Sequence, residues 1–261
     1  MRWHDLASGV HARTHSELEL TTGLVLGSRR ALVIDARGDH EQGAELRRAV
    51  RELTDLPLWL VITHGHFDHC FGGESLGAEQ VWAHTGYPEF TSTTAAEQRS
   101  RWSAQYTAEG RTELAEALRG SDPVAATQLV NDRTELDLGG RVVRLEHPGP
   151  GHTGHDLVVT VPDASVVFAG DLVEQGGPPD FEDAFPAGWP DALEHVLRTE
   201  AEIIVPGHGT PVEPGFARRQ HTDLRQTAAL RDAVRAGELD VAEAVRRAPF
   251  PAETARTALA R

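Results

Sequence analysis

The chain has 261 residues and a formal net charge of -15, from 40 acidic and 25 basic side chains, and every one of the basic residues is an arginine. So acidic a surface disfavours a polyanionic partner, and no nucleic acid is expected; it leaves a small-molecule substrate open, because the field at a metal site overrides the mean. A single cysteine, Cys70, excludes a disulfide framework. Residues 1–17 hold no apolar stretch fit for a signal sequence and no segment has the length to span a bilayer, so the expectation is a cytoplasmic protein without a membrane partner.

In chain order, residues 18–20, 23–26 and 31–34 read as short strands separated by turn residues. Residues 41–53 place Leu46, Ala49, Val50 and Leu53 at helical spacing, and the continuous apolar run 58–62 reads as a buried strand. A further strand at 81–84 ends in His84. This alternation belongs to a layered α/β architecture. Residues 85–132 differ: they are polar, with Trp102 and Tyr106, then Leu114 and Leu118, each pair four apart, which predicts helices with one apolar stripe. Strands follow at 141–145, 157–161, 166–169 and 203–205, and from 214 to 261 the pattern is helical and solvent-facing. With no low-complexity linker, the simplest organisation is one domain over 1–261, carrying a helical insertion at about 85–132 and a helical C-terminal tail at about 214–261.

The chemistry concentrates directly after the buried run 58–62. Thr63-His64-Gly65-His66-Phe67-Asp68-His69 sets three imidazoles and a carboxylate within six positions, on a loop held by a strand. Neutral imidazole nitrogen and carboxylate oxygen are ligands that divalent transition metals prefer. Left without a cation, four such groups so close would repel or stay unpaired; a solvated histidine-rich loop is the competing reading. Further His and Asp residues recur among glycines after apolar segments: His152, Asp171 and His208. Glycine there lets the backbone approach an ion.

His64-x-His66-x-Asp68-His69, the later Gly151-His152-Thr153, the Gly170-Asp171 pair and Pro206-Gly207-His208-Gly209 together resemble the five-part signature of the metallo-β-lactamase superfamily. The resemblance implies an αββα sandwich of two mixed sheets with outer helices. It implies that His64, His66 and His152 hold one metal, that Asp68, His69 and His208 hold a second, and that Asp171 bridges them. Two Zn2+ are the implied cofactors, with iron or manganese as alternatives. Asp68 becomes the catalytic residue, beside a metal-bridging hydroxide and able to pass a proton to the leaving group. Asp35, His84 and His155 are candidates to support these ligands from behind.

The resemblance also has departures. β-Lactamases of the subclass with a similar Pro-Gly-Pro-Gly-His-Thr stretch carry a cysteine where Asp171 stands, and Cys70 cannot fill that role. Gly154-His155-Asp156 follows His152 in place of a common Thr-x-Gly-His pattern. The function these features imply is dinuclear zinc hydrolysis of a small ester, thioester, lactone or related acyl compound. An iron-dependent persulfide dioxygenase on the same scaffold, or a phosphodiesterase, is the alternative.

Overall fold

The computed structural model describes residues 3–261. Seven strands form one sheet: β1 (His4–Ala7), β2 (Val10–Thr14), β3 (Thr21–Leu26), β4 (Ala31–Ile34), β5 (Leu58–Val61), β6 (Gln80–His84) and β7 (Gln128–Val130), in that spatial order. The pairs from β1 to β4 are antiparallel and those from β4 to β7 parallel. Five strands form the second sheet: β8 (Arg133–Asp137), β9 (Val142–Glu146), β10 (Val158–Val161), β11 (Val166–Glu174) and β12 (Ile203–His208). Only β11 and β12 pair in parallel there. Both sheets are therefore mixed.

The helices lie outside. On the first sheet sit α1 (His40–Arg51), the single turn α2 (Phe67–Cys70), α3 (Tyr87–Ala108) and α4 (Thr112–Arg119); on the second sit α5 (Trp189–Arg198), α6 (Pro214–Arg235), α7 (Val241–Arg247) and α8 (Ala252–Ala260). The two-residue period of a strand explains the layering. Leu32 and Ile34 enter the core between the sheets while Val33 faces the outer core with Leu46 and Val50 of α1. Val159 faces inward while Val158 packs outward with Leu193 and Val196 of α5. Strands buried on both faces need no polar alternation, which is why they read as unbroken apolar runs.

Several elements depart from the sequence expectation. Residues 18–20 are not a strand but a tight turn, with Leu18 and Glu19 in the left-handed region at φ 55° and 54°. The stretch expected to be wholly helical ends in β7, which extends the sheet beside β6. The C-terminal segment is helical but not merely solvent-facing: Ala255, Ala258 and Leu259 of α8 are buried, and α8 packs on α6. No helix is long and apolar enough to cross a membrane among the described residues.

Candidate metal centre

The polar loops gather at one end of the sandwich, where the parallel strands β4, β5, β11 and β12 finish. Asp35 follows β4; His64, His66, Asp68 and His69 follow β5; His152 lies between β9 and β10; Asp171 lies within β11; and His208 ends β12. The seven side chains expected to bind metal converge in two adjacent sets, one of His64, His66, His152 and Asp171 and one of Asp68, His69 and His208. In the first, His66 Nδ1 is 3.1 Å from His64 Nε2 and 3.0 Å from His152 Nε2. In the second, His208 Nε2 is 3.4 Å from His69 Nε2 and 3.3 Å from Asp68 Oδ2. Asp171 stands between: its Oδ2 is 3.5 Å from His152 Nε2 and 3.2 Å from His208 Nε2, and its Oδ1 is 3.2 Å from His69 Nε2.

These spacings suit cations. Metal–nitrogen bonds of about 2.0–2.1 Å at tetrahedral angles give ligand–ligand edges of about 3.3–3.4 Å. Asp171 Oδ1 is also buried with no hydrogen-bond partner, an unsatisfied acceptor of the kind a cation resolves. Without a cation, burial drives His64 below its usual range and His152 down to about 4. At the other imidazoles burial is outweighed: Asp183 lifts His66 to about 9, Asp171 lifts His208 to about 10, and Asp171 with Asp35 holds His69 well above normal. Asp171, despite burial, is held well below the carboxylate range by His69, His208 and His64. The metal-free cluster thus holds protons at positions where a divalent ion would displace them.

The surrounding residues fix the candidate ligands. Asp35 sits at φ 62° and accepts from the Thr63 amide (2.8 Å), the Thr63 hydroxyl (2.8 Å) and His69 Nδ1 (2.9 Å), so it orients one ligand and the loop that bears three others. His155 acts on the backbone: its Nε2 accepts from the Gly65 amide at 2.9 Å, and burial keeps it neutral, down to about 3. His84 does not join the cluster, since it accepts from the Gly86 amide at 3.1 Å and stacks on His147 at 4.1 Å. The unexpected turn at Leu18–Glu19 has a purpose here: the Leu18 carbonyl accepts from His208 Nδ1 at 2.8 Å, and the Glu19 carbonyl accepts from the Gly209 amide at 2.8 Å.

Three contributors were not read from the sequence. Asp183, on the loop between β11 and α5, receives His66 Nε2 at 3.1 and 3.2 Å from its two oxygens, leaving Nδ1 for the centre. Gln98 of α3 clamps the ligand loop, accepting from the Phe67 amide at 2.8 Å and donating to the Gly65 carbonyl at 3.2 Å. Trp189 backs the His152 ring at 5.4 Å and donates to the Leu172 carbonyl at 3.1 Å. Above the centre opens a groove of about 830 Å3, walled by Phe67, Phe90 and Trp102 on one side and by the loop after β11 on the other.

The family model described as the metallo-β-lactamase superfamily matches residues 20–208. The chain belongs to the metallo-β-lactamase superfamily. It is 30% identical over 207 residues to a metallo-β-lactamase type 2 of Bacillus cereus, covering 75% of this chain and 70% of that one. It is 26% identical over 197 residues to hydroxyacylglutathione hydrolase GloC of Haemophilus influenzae, covering 70% of this chain and 85% of that one. In structure it is similar to a metallo-β-lactamase from Pontibacter korlensis, with a TM-score of 0.67 at 20% identity over 86% of this chain and 98% of that one. The αββα sandwich is thus that of the superfamily, and this member is a metal-dependent hydrolase with a His/Asp metal-binding cluster.

Proposed function

We propose that this metallo-β-lactamase superfamily member is a dinuclear zinc hydrolase of a small acyl compound: an ester, thioester, lactone or relative. The observation that carries it is the division of seven donors into two touching sets with Asp171 between them. Two such cations, when bound, lower the pKa of a water towards neutrality and polarise the scissile oxygen. The chain supplies the rest. Asp68 is the second residue of α2, with Oδ2 3.3 Å from His208 Nε2, and its carboxylate is placed to take a proton from the attacking water and return it to the leaving atom. Asp35, Asp183 and the Leu18 carbonyl hold His69, His66 and His208 so that one ring nitrogen of each points at the centre.

The carboxylate at position 171, where the similar lactamase subclass carries cysteine, weighs against β-lactams as the substrate, and the similarity to a hydroxyacylglutathione hydrolase supports acyl-ester chemistry. The single cysteine, Cys70, leaves no intrachain disulfide, and this supports a reducing, cytoplasmic setting. The net charge of -15 supports a small-molecule partner and no nucleic acid. The test is metal analysis combined with a panel of esters, thioesters, lactones, cephalosporins and phosphodiesters. The reading expects about two zinc per chain and turnover of acyl esters; one iron with thiol-dependent oxygen uptake, or turnover of phosphodiesters alone, contradicts it.

A further inference from the structure

Each imidazole of the centre points one ring nitrogen inwards, and the other nitrogen needs a partner of its own. Four of the five have one. His64 Nδ1 donates to the Thr63 hydroxyl at 3.1 Å, His66 Nε2 faces Asp183 at 3.1 Å, His69 Nδ1 donates to Asp35 at 2.9 Å, and His208 Nδ1 donates to the Leu18 carbonyl at 2.8 Å. His152 is the exception: its Nε2 faces His66 Nδ1, while its Nδ1 is buried with no hydrogen-bond partner. A neutral imidazole that gives Nε2 to a cation carries its proton on Nδ1, and a buried N–H without an acceptor is costly. Among the described residues the carboxyl set against that nitrogen is Glu174, whose Oε1 is 3.9 Å away.

The placement of Glu174 is not that of a regular strand. Residues 171 and 174, three apart, would face opposite sides of a regular strand, yet Asp171 and Glu174 both line the groove. The pairing of β11 with β12 slips between Gly170 and Glu174, and such a bulge re-aims a side chain. The new direction is then held. The Glu174 amide donates to Gln220 Oε1 of α6 at 3.3 Å, and Glu174 Oε1 accepts from the Asp180 amide at 3.0 Å. That oxygen is therefore an acceptor already, with a second lone pair to offer, and closing by about 1 Å brings it within hydrogen-bond range of His152. We propose that Glu174 is the positioning residue for His152: in the metal-loaded centre its Oε1 accepts from His152 Nδ1 and fixes the ring with Nε2 inwards. The loop after β11 then orients two imidazoles of the first set, His66 through Asp183 and His152 through the Asp180 amide and Glu174. This inference rests on the metal-binding reading above.

The experiment uses the full chain, with isotopically labelled histidine and loaded with zinc, in native form and as Glu174→Leu and Glu174→Gln, followed by proton–nitrogen NMR. In the native protein the Nδ1 proton of His152 should appear as a downfield, slowly exchanging resonance. In Glu174→Leu that proton should move upfield or vanish through exchange, and zinc affinity, read by competition with a chromophoric chelator, should fall about 10–100-fold. Glu174→Gln keeps an acceptor oxygen without the charge, so both readings should lie between those of the other two, and it decides alone if Glu174→Leu does not fold. A His152 Nδ1 proton that ignores both substitutions, or a zinc affinity that stays within about twofold of native in Glu174→Leu, overturns the assignment and leaves the centre standing. A native chain that takes up no zinc overturns the metal centre itself.

Discussion

At the scale of single residues, the side chains that converge here were written in the chain because each candidate ligand sits in a short motif whose spacing has a geometric meaning. His64 and His66 alternate on extended backbone and so face the same way, and Asp68 and His69 follow where the single turn α2 begins. Asp183 had no such signal. It is one acid among several in an irregular loop, and only the fold brings it 117 positions back to His66. His84 shows the converse: a strand-end histidine expected to support the ligands from behind instead stacks its ring on another histidine. The weight of Asp183 is open to test. Asp183→Asn removes the charge that fixes His66, and metal affinity should drop about 10–100-fold with the fold intact. Competitive titration against a chromophoric chelator measures this; an unchanged dissociation constant would remove Asp183 from the centre's supports.

At the scale of elements, what was legible depended on burial. The strands β4, β5 and β10 are almost wholly apolar and buried, and their runs located them almost to the residue. β1 and β8 are edge strands with exposed polar side chains, and β2, although buried, carries His11, Arg13 and Thr14. A sequence pattern cannot separate such strands from loops. Residues 18–20 misled for a different reason: an apolar pair suggested a strand, but the tertiary demand of His208 on the Leu18 carbonyl imposed left-handed backbone. Helix α1 was legible from its stripe, and its start is fixed by Asp39, whose Oδ1 accepts from the Gln42 amide at 2.8 Å. Replacing that cap by Asp39→Ala should cost about 1 kcal/mol, lowering the melting temperature by a few degrees. Calorimetry that shows no shift would mean the cap contributes nothing beyond helix propensity.

At the scale of the whole molecule, the two sheets form a rigid frame on whose end loops the donors ride, so the metal centre and stability are linked through pH. In the metal-free protein His66 and His208 titrate near about 9 and about 10, above the unfolded value of about 6.5. Their contribution is complete below about 6.5 and is lost as pH rises through those values; Glu174, pushed up to about 8 by burial and Asp171, acts with the same sign. His152 at about 4 and His155 at about 3 are lowered by burial, so the unfolded chain binds more protons below about 6.5 and stability falls with falling pH. The metal-free melting temperature should therefore peak near about pH 6.5 and decline towards both 4 and 9, while metal should raise it most on the alkaline side, where fewer protons compete. A metal-free profile that climbs from pH 6.5 to 9 would contradict these assignments.

The most direct measurement of the central claim is the metal content of purified protein by plasma emission, taken for the native chain and for His66→Ala. The account expects about two divalent ions per native chain, and in His66→Ala a loss of about one or both together with hydrolytic activity. A native chain that binds less than about one ion after equilibration with excess zinc, or a His66→Ala variant that keeps full metal and full turnover, would show that the seven side chains do not form the centre described.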